Sequence, residues 1–112
     1  MHIREMQEAA WNNSEAKGFH GGDENKNIPT KLMLIVSELA EALETYRNNE
    51  PYPLWFDYDH GGKPEGIAAE LADAVIRIGD LAGIMNFDLE QAIEAKMSYN
   101  TGRPYMHGGK RI

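Results

Sequence analysis

Apolar residues recur at helical spacing in four stretches of the chain, and the stretches between them do not. Ile3, Met6, Ala10 and Trp11 form the first stripe, which ends before 17-KGFHGGDENKNIP-29, a segment of glycine, asparagine and charge that reads as a loop. Leu32, Ile35, Val36, Leu39, Ala42, Leu43 and Tyr46 predict a second helix over 31–48, with Thr30 as its N-cap and Pro29 just ahead. The stretch 49-NEPYPLWFDYDHGGKP-64 holds three prolines, two glycines and four aromatics, and predicts a loop or irregular excursion. Ile67, Leu71, Ala74, Ile78 and Leu81 predict a third helix from about Glu65 to Met85. After the turn 86-NFD-88, Asp88 is placed to cap a fourth helix, with Gln91 at the capping-box position and Leu89, Ile93 and Met97 on its apolar side, fading near Asn100. The tail, 101-TGRPYMHGGKRI-112, predicts order only where it docks on something. No stretch predicts a strand. The expectation is an all-α domain of four helices spanning residues 1–112, its short core completed by self-association.

Composition narrows the chemistry. A chain of 112 residues suits one domain, and no apolar run approaches the roughly 20 residues that cross a bilayer, so no membrane role is expected. The absence of cysteine excludes a disulfide framework and a thiolate metal site, in keeping with a cytoplasmic protein. A net charge of −7 argues against a binder of nucleic-acid polymers, whose affinity rests on basic clusters. It leaves room for a single nucleotide held through metal ions.

Acids are set against the most apolar helices. In 36-VSELAEALE-44, Glu38 and Glu41 lie three residues apart beside Ile35, Leu39 and Ala42; in 67-IAAELADAV-75, Glu70 and Asp73 repeat that relation to Ile67, Leu71 and Ala74. At 100° per residue each pair subtends about 60° along the border of its stripe, so packing through the stripes brings four carboxylates to one edge of the bundle. One such pair is most often a solvated border. Two equivalent pairs repel unless cations hold them, and hard divalent ions such as Mg²⁺ take carboxylate oxygens together with substrate phosphates. Glu44 and Asp80 have no matching partner by spacing and are left as surface or supporting acids.

Glu38-x-x-Glu41, a spacer of 28 residues (42–69) and Glu70-x-x-Asp73 resemble the E-x-x-E…E-x-x-D motif of the MazG-like, all-α nucleoside triphosphate pyrophosphohydrolases. The segment 96-KMSYNTGRP-104 is similar to that family's K-x-x-x-N-x-x-R-P run, and the likeness extends from about Phe19 to Lys110. The long aromatic spacer departs from the family pattern. The resemblance implies a MazG-like bundle, forming a homodimer or homotetramer, that hydrolyses a nucleoside triphosphate, expected to be a deoxynucleotide, between its α- and β-phosphates. It implies Mg²⁺ or Mn²⁺ on Glu38, Glu41, Glu70 and Asp73, and Lys96, Asn100 and Arg103 around the phosphates. Phe19 and His20 resemble an aromatic-histidine pair that some members place before the first acid helix; aromatic faces suit base stacking, but an aromatic beside a helix is as readily core and His20 as readily an ordinary loop residue. Trp11, Trp55 and Phe56 are weaker base candidates, and 107-HGGK-110 has a phosphate-loop character that also fits a mobile tail. Two alternatives remain open: a non-catalytic helical interaction module, and a pyrophosphohydrolase of phosphoribosyl-ATP. A carboxylate-bridged di-iron bundle is disfavoured, because neither acid pair carries the Glu-x-x-His spacing of such sites.

Overall fold

The structure is a computed structural model and describes residues 1–22 and 27–104. His107 and Lys110 lie outside the described residues. Four helices, α1 (Ile3–Ala16), α2 (Ile28–Arg47), α3 (Ile67–Ile84) and α4 (Leu89–Thr101), are joined by one two-stranded antiparallel ribbon, β1 (Trp55–Asp57) with β2 (Lys63–Glu65). The fold is therefore mainly helical, with a small sheet where the sequence predicted none.

Helix α2 starts earlier than its apolar stripe suggests. Asn27, not Thr30, is the N-cap: its side-chain oxygen accepts from the Thr30 N–H at 3.0 Å. Pro29 falls inside the first turn, where a missing N–H leaves no intrahelical bond unmade. At α4 the expected cap is present, with Asp88 Oδ1 accepting from the N–H of Glu90 at 3.1 Å and of Gln91 at 3.4 Å.

The ribbon interrupts the predicted loop. Trp55 pairs with Glu65, Phe56 with Pro64 and Asp57 with Lys63. A 3₁₀ turn, Tyr58–His60, and two glycines with φ of 74° and 78°, Gly61 and Gly62, reverse the chain. Pro64 is tolerated because a two-stranded ribbon has only edges. The ribbon is tied to the start of α3 at Gly66, whose φ is 105° and where a Cβ would lie 2.3 Å from the Pro53 carbonyl oxygen; that same oxygen accepts from the Ala68 N–H at 2.9 Å. Only glycine fits there.

Helix α3 is the centre of the fold, packed by α1 and by α2. The approach of α1 depends on two glycines one turn apart: a Cβ at Gly79 would meet Met6 Sδ at 2.8 Å, and one at Gly83 would meet Trp11 Cδ1 at 2.4 Å. Helix α4 is held on α1. Gln7 donates from Nε2 to the Phe87 carbonyl at 2.8 Å and accepts from the Leu89 N–H at 2.9 Å, while Arg4 pairs with Asp88 at 2.8 Å and Glu90 at 3.0 Å.

Among the described residues the buried apolar core is Ala10, Ala42, Ala74, Leu81 and Ala82, and no large side chain is fully enclosed. Leu32, Met33, Val36, Leu39 and Leu43 on α2, with Leu71, Val75 and Ile76 on α3, are exposed. The apolar stripes of both helices are thus only partly used within one chain.

Candidate functional site

Helices α2 and α3 run antiparallel, so the i, i+3, i+7 face of one meets the same face of the other. Reading from the ribbon end, Glu41 lies by Glu70, then Glu38 by Asp73 and Arg77, and then Lys31 shares a cleft with Asp80. Carboxylate oxygens of Glu38, Glu41 and Glu70 lie within 4.8 Å of one another. Three of the four acids read from the sequence therefore converge, and Asp73 stands outside that group, near enough to feel the charges of Glu38 and Glu41. Glu38 is buried, Glu70 half-buried, and Glu41 and Asp73 exposed.

The electrostatics follow from that proximity. The Glu70 carboxyl is pushed up from an ordinary 4.5 to about 7, first by burial and then by a hydrogen bond with Glu41 and the charges of Glu41, Asp73 and Glu38. Asp73 is also raised, by burial and the charge of Glu38, against an opposing pull from Arg77. Two cations reach in. Arg77 Nε donates to Glu38 Oε1 at 2.9 Å. Lys63, bonded to Glu65 at 3.1 Å on β2, adds its charge near Glu70, so the ribbon delivers a cation to the acid end.

Beside the acids a cleft of about 480 Å³ opens between α1, α2 and α3, with Glu38 and Asp73 at one side, Lys31 and Arg77 along it, and Phe19 and Asn13 beyond. Phe19 is 58% exposed and lines this cleft. His20, its neighbour, is buried. Its Nδ1 lies 2.6 Å from Glu15 Oε2, its Nε2 lies 2.8 Å from Asp80 Oδ1, and its ring packs on Trp11 with centroids 5.0 Å apart. Both ring nitrogens are bonded to carboxylates, so His20 clips the loop after α1 onto α3, and Asp80 is its partner. Glu44 is exposed.

The structure does not bring the other predicted residues here. Lys96, Asn100 and Arg103 sit on α4 or just after it, and none lines the cleft; Lys96 and Arg103 flank the Tyr99 ring, 5.4 and 5.7 Å from its centroid. Trp55 donates from Nε1 to Glu50 at 2.9 Å and Phe56 packs toward Tyr58, both on the ribbon and neither in the cleft.

Lys31, Arg77 and Lys63 escaped the sequence reading. Helical spacing carried a signal for two of them: Lys31 stands seven residues before Glu38, and Arg77 four after Asp73, each on the acid face. Lys63 depends on the ribbon and had none.

Oxygen donors at this spacing suit a hard divalent cation, and among the described residues this is the group of acids or histidines that could hold one. No described helix is long and apolar enough to cross a membrane. No protein-family model, curated protein or solved structure matches the chain.

Proposed function

We propose that the protein is a divalent-cation-dependent nucleoside triphosphate pyrophosphohydrolase, most simply of deoxynucleotides, and that it works as a homodimer or homotetramer. The observation that carries this reading is the meeting of Glu38, Glu41 and Glu70, with Asp73 beside them, at the mouth of a cleft that also presents cations and an aromatic ring. Mg²⁺ or Mn²⁺ bound there supplies charge neutralisation on phosphate oxygens and lowers the pKa of a water. Glu38, Glu41 and Glu70 would hold it, with Asp73 beside them. Glu70, whose carboxyl is pushed up to about 7 in their company, would have to lose its proton to serve as a ligand. One water is consumed: its oxygen bonds to the α-phosphorus, the bridge to the β-phosphate breaks, and the products are a nucleoside monophosphate and pyrophosphate. Phe19 offers a face for the base. Lys96, Asn100 and Arg103 lie outside the cleft within one chain, so the phosphate role implied by the resemblance requires a second subunit to bring them to it.

Self-association is supported by the exposed Leu32, Val36, Leu39 and Leu43 along one face of α2 and Leu71 and Val75 on α3, apolar residues of the kind that mark an interface.

The test is product analysis over a panel of ribo- and deoxynucleoside triphosphates and phosphoribosyl-ATP with Mg²⁺. Monophosphate plus pyrophosphate from a triphosphate supports the proposal. Diphosphate plus phosphate moves the cleavage site, turnover of phosphoribosyl-ATP alone selects the related enzyme, and no turnover of any substrate favours an interaction module.

A further inference from the structure

Arg77 is bonded to the acid cluster and lines the cleft at the same time. Its Nε donates to the buried Glu38, yet its side chain is 41% exposed, and among the described residues its two terminal amino groups make no hydrogen bond. Lys31, half-buried on the facing helix, lines the same cleft and makes no ion pair among the described residues. Two positive groups therefore face one cavity at the edge of an acidic one. The acids alone do not require this, since one cation against Glu38 relieves them in part and Lys31 touches none of them.

Resting on the nucleotide reading above, we propose that Arg77 is a substrate-binding residue shared between two states. Without a divalent cation its guanidinium neutralises Glu38; with one bound, that bond is surrendered and the guanidinium takes a phosphate oxygen in the cleft, with Lys31 as the second cation of the same wall. The guanidinium and the divalent cation compete for Glu38, because both answer the same carboxylate and repel each other. A planar guanidinium suits this exchange: Nε holds Glu38 while the terminal nitrogens make no hydrogen bond among the described residues, so a modest turn converts a carboxylate donor into a phosphate donor. The recognised chemistry is a phosphate chain carried with a divalent cation. The consequence is ordered binding, since the site that grips phosphate is released only when the cation has taken Glu38.

The test compares wild type, Arg77→Gln, Arg77→Lys and Lys31→Gln in two equilibrium titrations: Mn²⁺ alone, followed by its electron paramagnetic resonance, and an α,β-methylene deoxynucleoside triphosphate in saturating Mg²⁺. Arg77→Gln removes a competing positive charge and is expected to bind Mn²⁺ about tenfold more tightly. It should bind the analogue about ten- to a hundredfold more weakly. Arg77→Lys should stay near wild type for Mn²⁺ and lose less analogue affinity. Lys31→Gln, which leaves Glu38 untouched, should keep wild-type Mn²⁺ affinity and weaken the analogue about tenfold. Opposite signs in the two titrations are what a merely structural arginine does not produce. The proposal is overturned if Arg77→Gln loses both affinities together or changes neither, or, should that variant not fold, if Lys31→Gln binds the analogue as wild type does. A wild-type chain that binds Mn²⁺ but no analogue overturns the nucleotide reading, and this proposal with it.

Discussion

Glu70 offers the sharpest perturbation, because its carboxyl is held at about 7 by burial and by Glu41, Asp73 and Glu38. Between pH 4.5 and 7 the metal-free native state binds more protons at this site than the unfolded chain does, so stability falls as pH rises through that window, and the penalty is complete above it. The displacement of 7 − 4.5 = 2.5 units corresponds to a ceiling of about 3.4 kcal/mol. Glu70 is half-buried and shares its proton with Glu41, so solvent screening and that sharing reduce the figure to about 1–2 kcal/mol. Glu70→Gln keeps the shape and removes the charge. In EDTA at pH 8 it should melt higher than wild type, by about 4–8 °C at roughly 4 °C per kcal/mol for a chain of this size. At pH 4.5, where wild type is itself largely protonated, the two should coincide. The assay is circular-dichroism melting from pH 4.5 to 8.5, repeated with Mn²⁺, where wild type should gain stability and the variant should gain less. An equal shift at every pH, or a variant less stable than wild type at pH 8, would refute the claim that repulsion strains this site.

Three further outcomes are expected. Gly83→Ala sets a Cβ against the Trp11 ring and should lower stability by about 1–3 kcal/mol in denaturant titration, whereas Gly79→Ala, facing the flexible end of Met6, should cost less. His20→Ala strips the buried Asp80 of its hydrogen-bond partner and should cost about 1–3 kcal/mol, measured by thermal melting. Lys96→Ala or Arg103→Ala should lower kcat/KM by about ten- to a hundredfold with Mn²⁺ affinity unchanged; activity that falls only in step with folding would assign both residues to structure.

What the sequence made legible follows the reach of its signals. The helical stripes and the Asp88 cap depend on residues within one or two turns, and they were readable. So was the convergence of Glu38, Glu41 and Glu70, since equal spacing beside equal stripes makes two helices meet edge to edge. The ribbon was not readable: its strands are three residues each, one of them holds Pro64, and their pairing depends on the Asp57–His60 turn and on Gly66 beneath Pro53. The start of α2 was misplaced because the cap, Asn27, lies outside the apolar pattern. Arg77 and Lys31 sit on the acid face by simple counting, but their meaning needs the antiparallel register that puts Lys31 across from Asp80. Lys96, Asn100 and Arg103 were named by resemblance to a motif, which carries no information about how α4 docks. Its attachment to α1 through Arg4 and Gln7 is what keeps them out of the cleft within one chain.

The most direct test of the account is a crystal of the protein grown with Mn²⁺ and the α,β-methylene deoxynucleotide, with diffraction collected at the manganese edge. The account predicts an anomalous peak ligated by Glu38, Glu41 and Glu70 with Asp73 adjacent, and phosphate oxygens of the analogue on the same ion. Manganese bound elsewhere, or acids that remain paired only with Arg77 and one another in saturating Mn²⁺ and nucleotide, would contradict it.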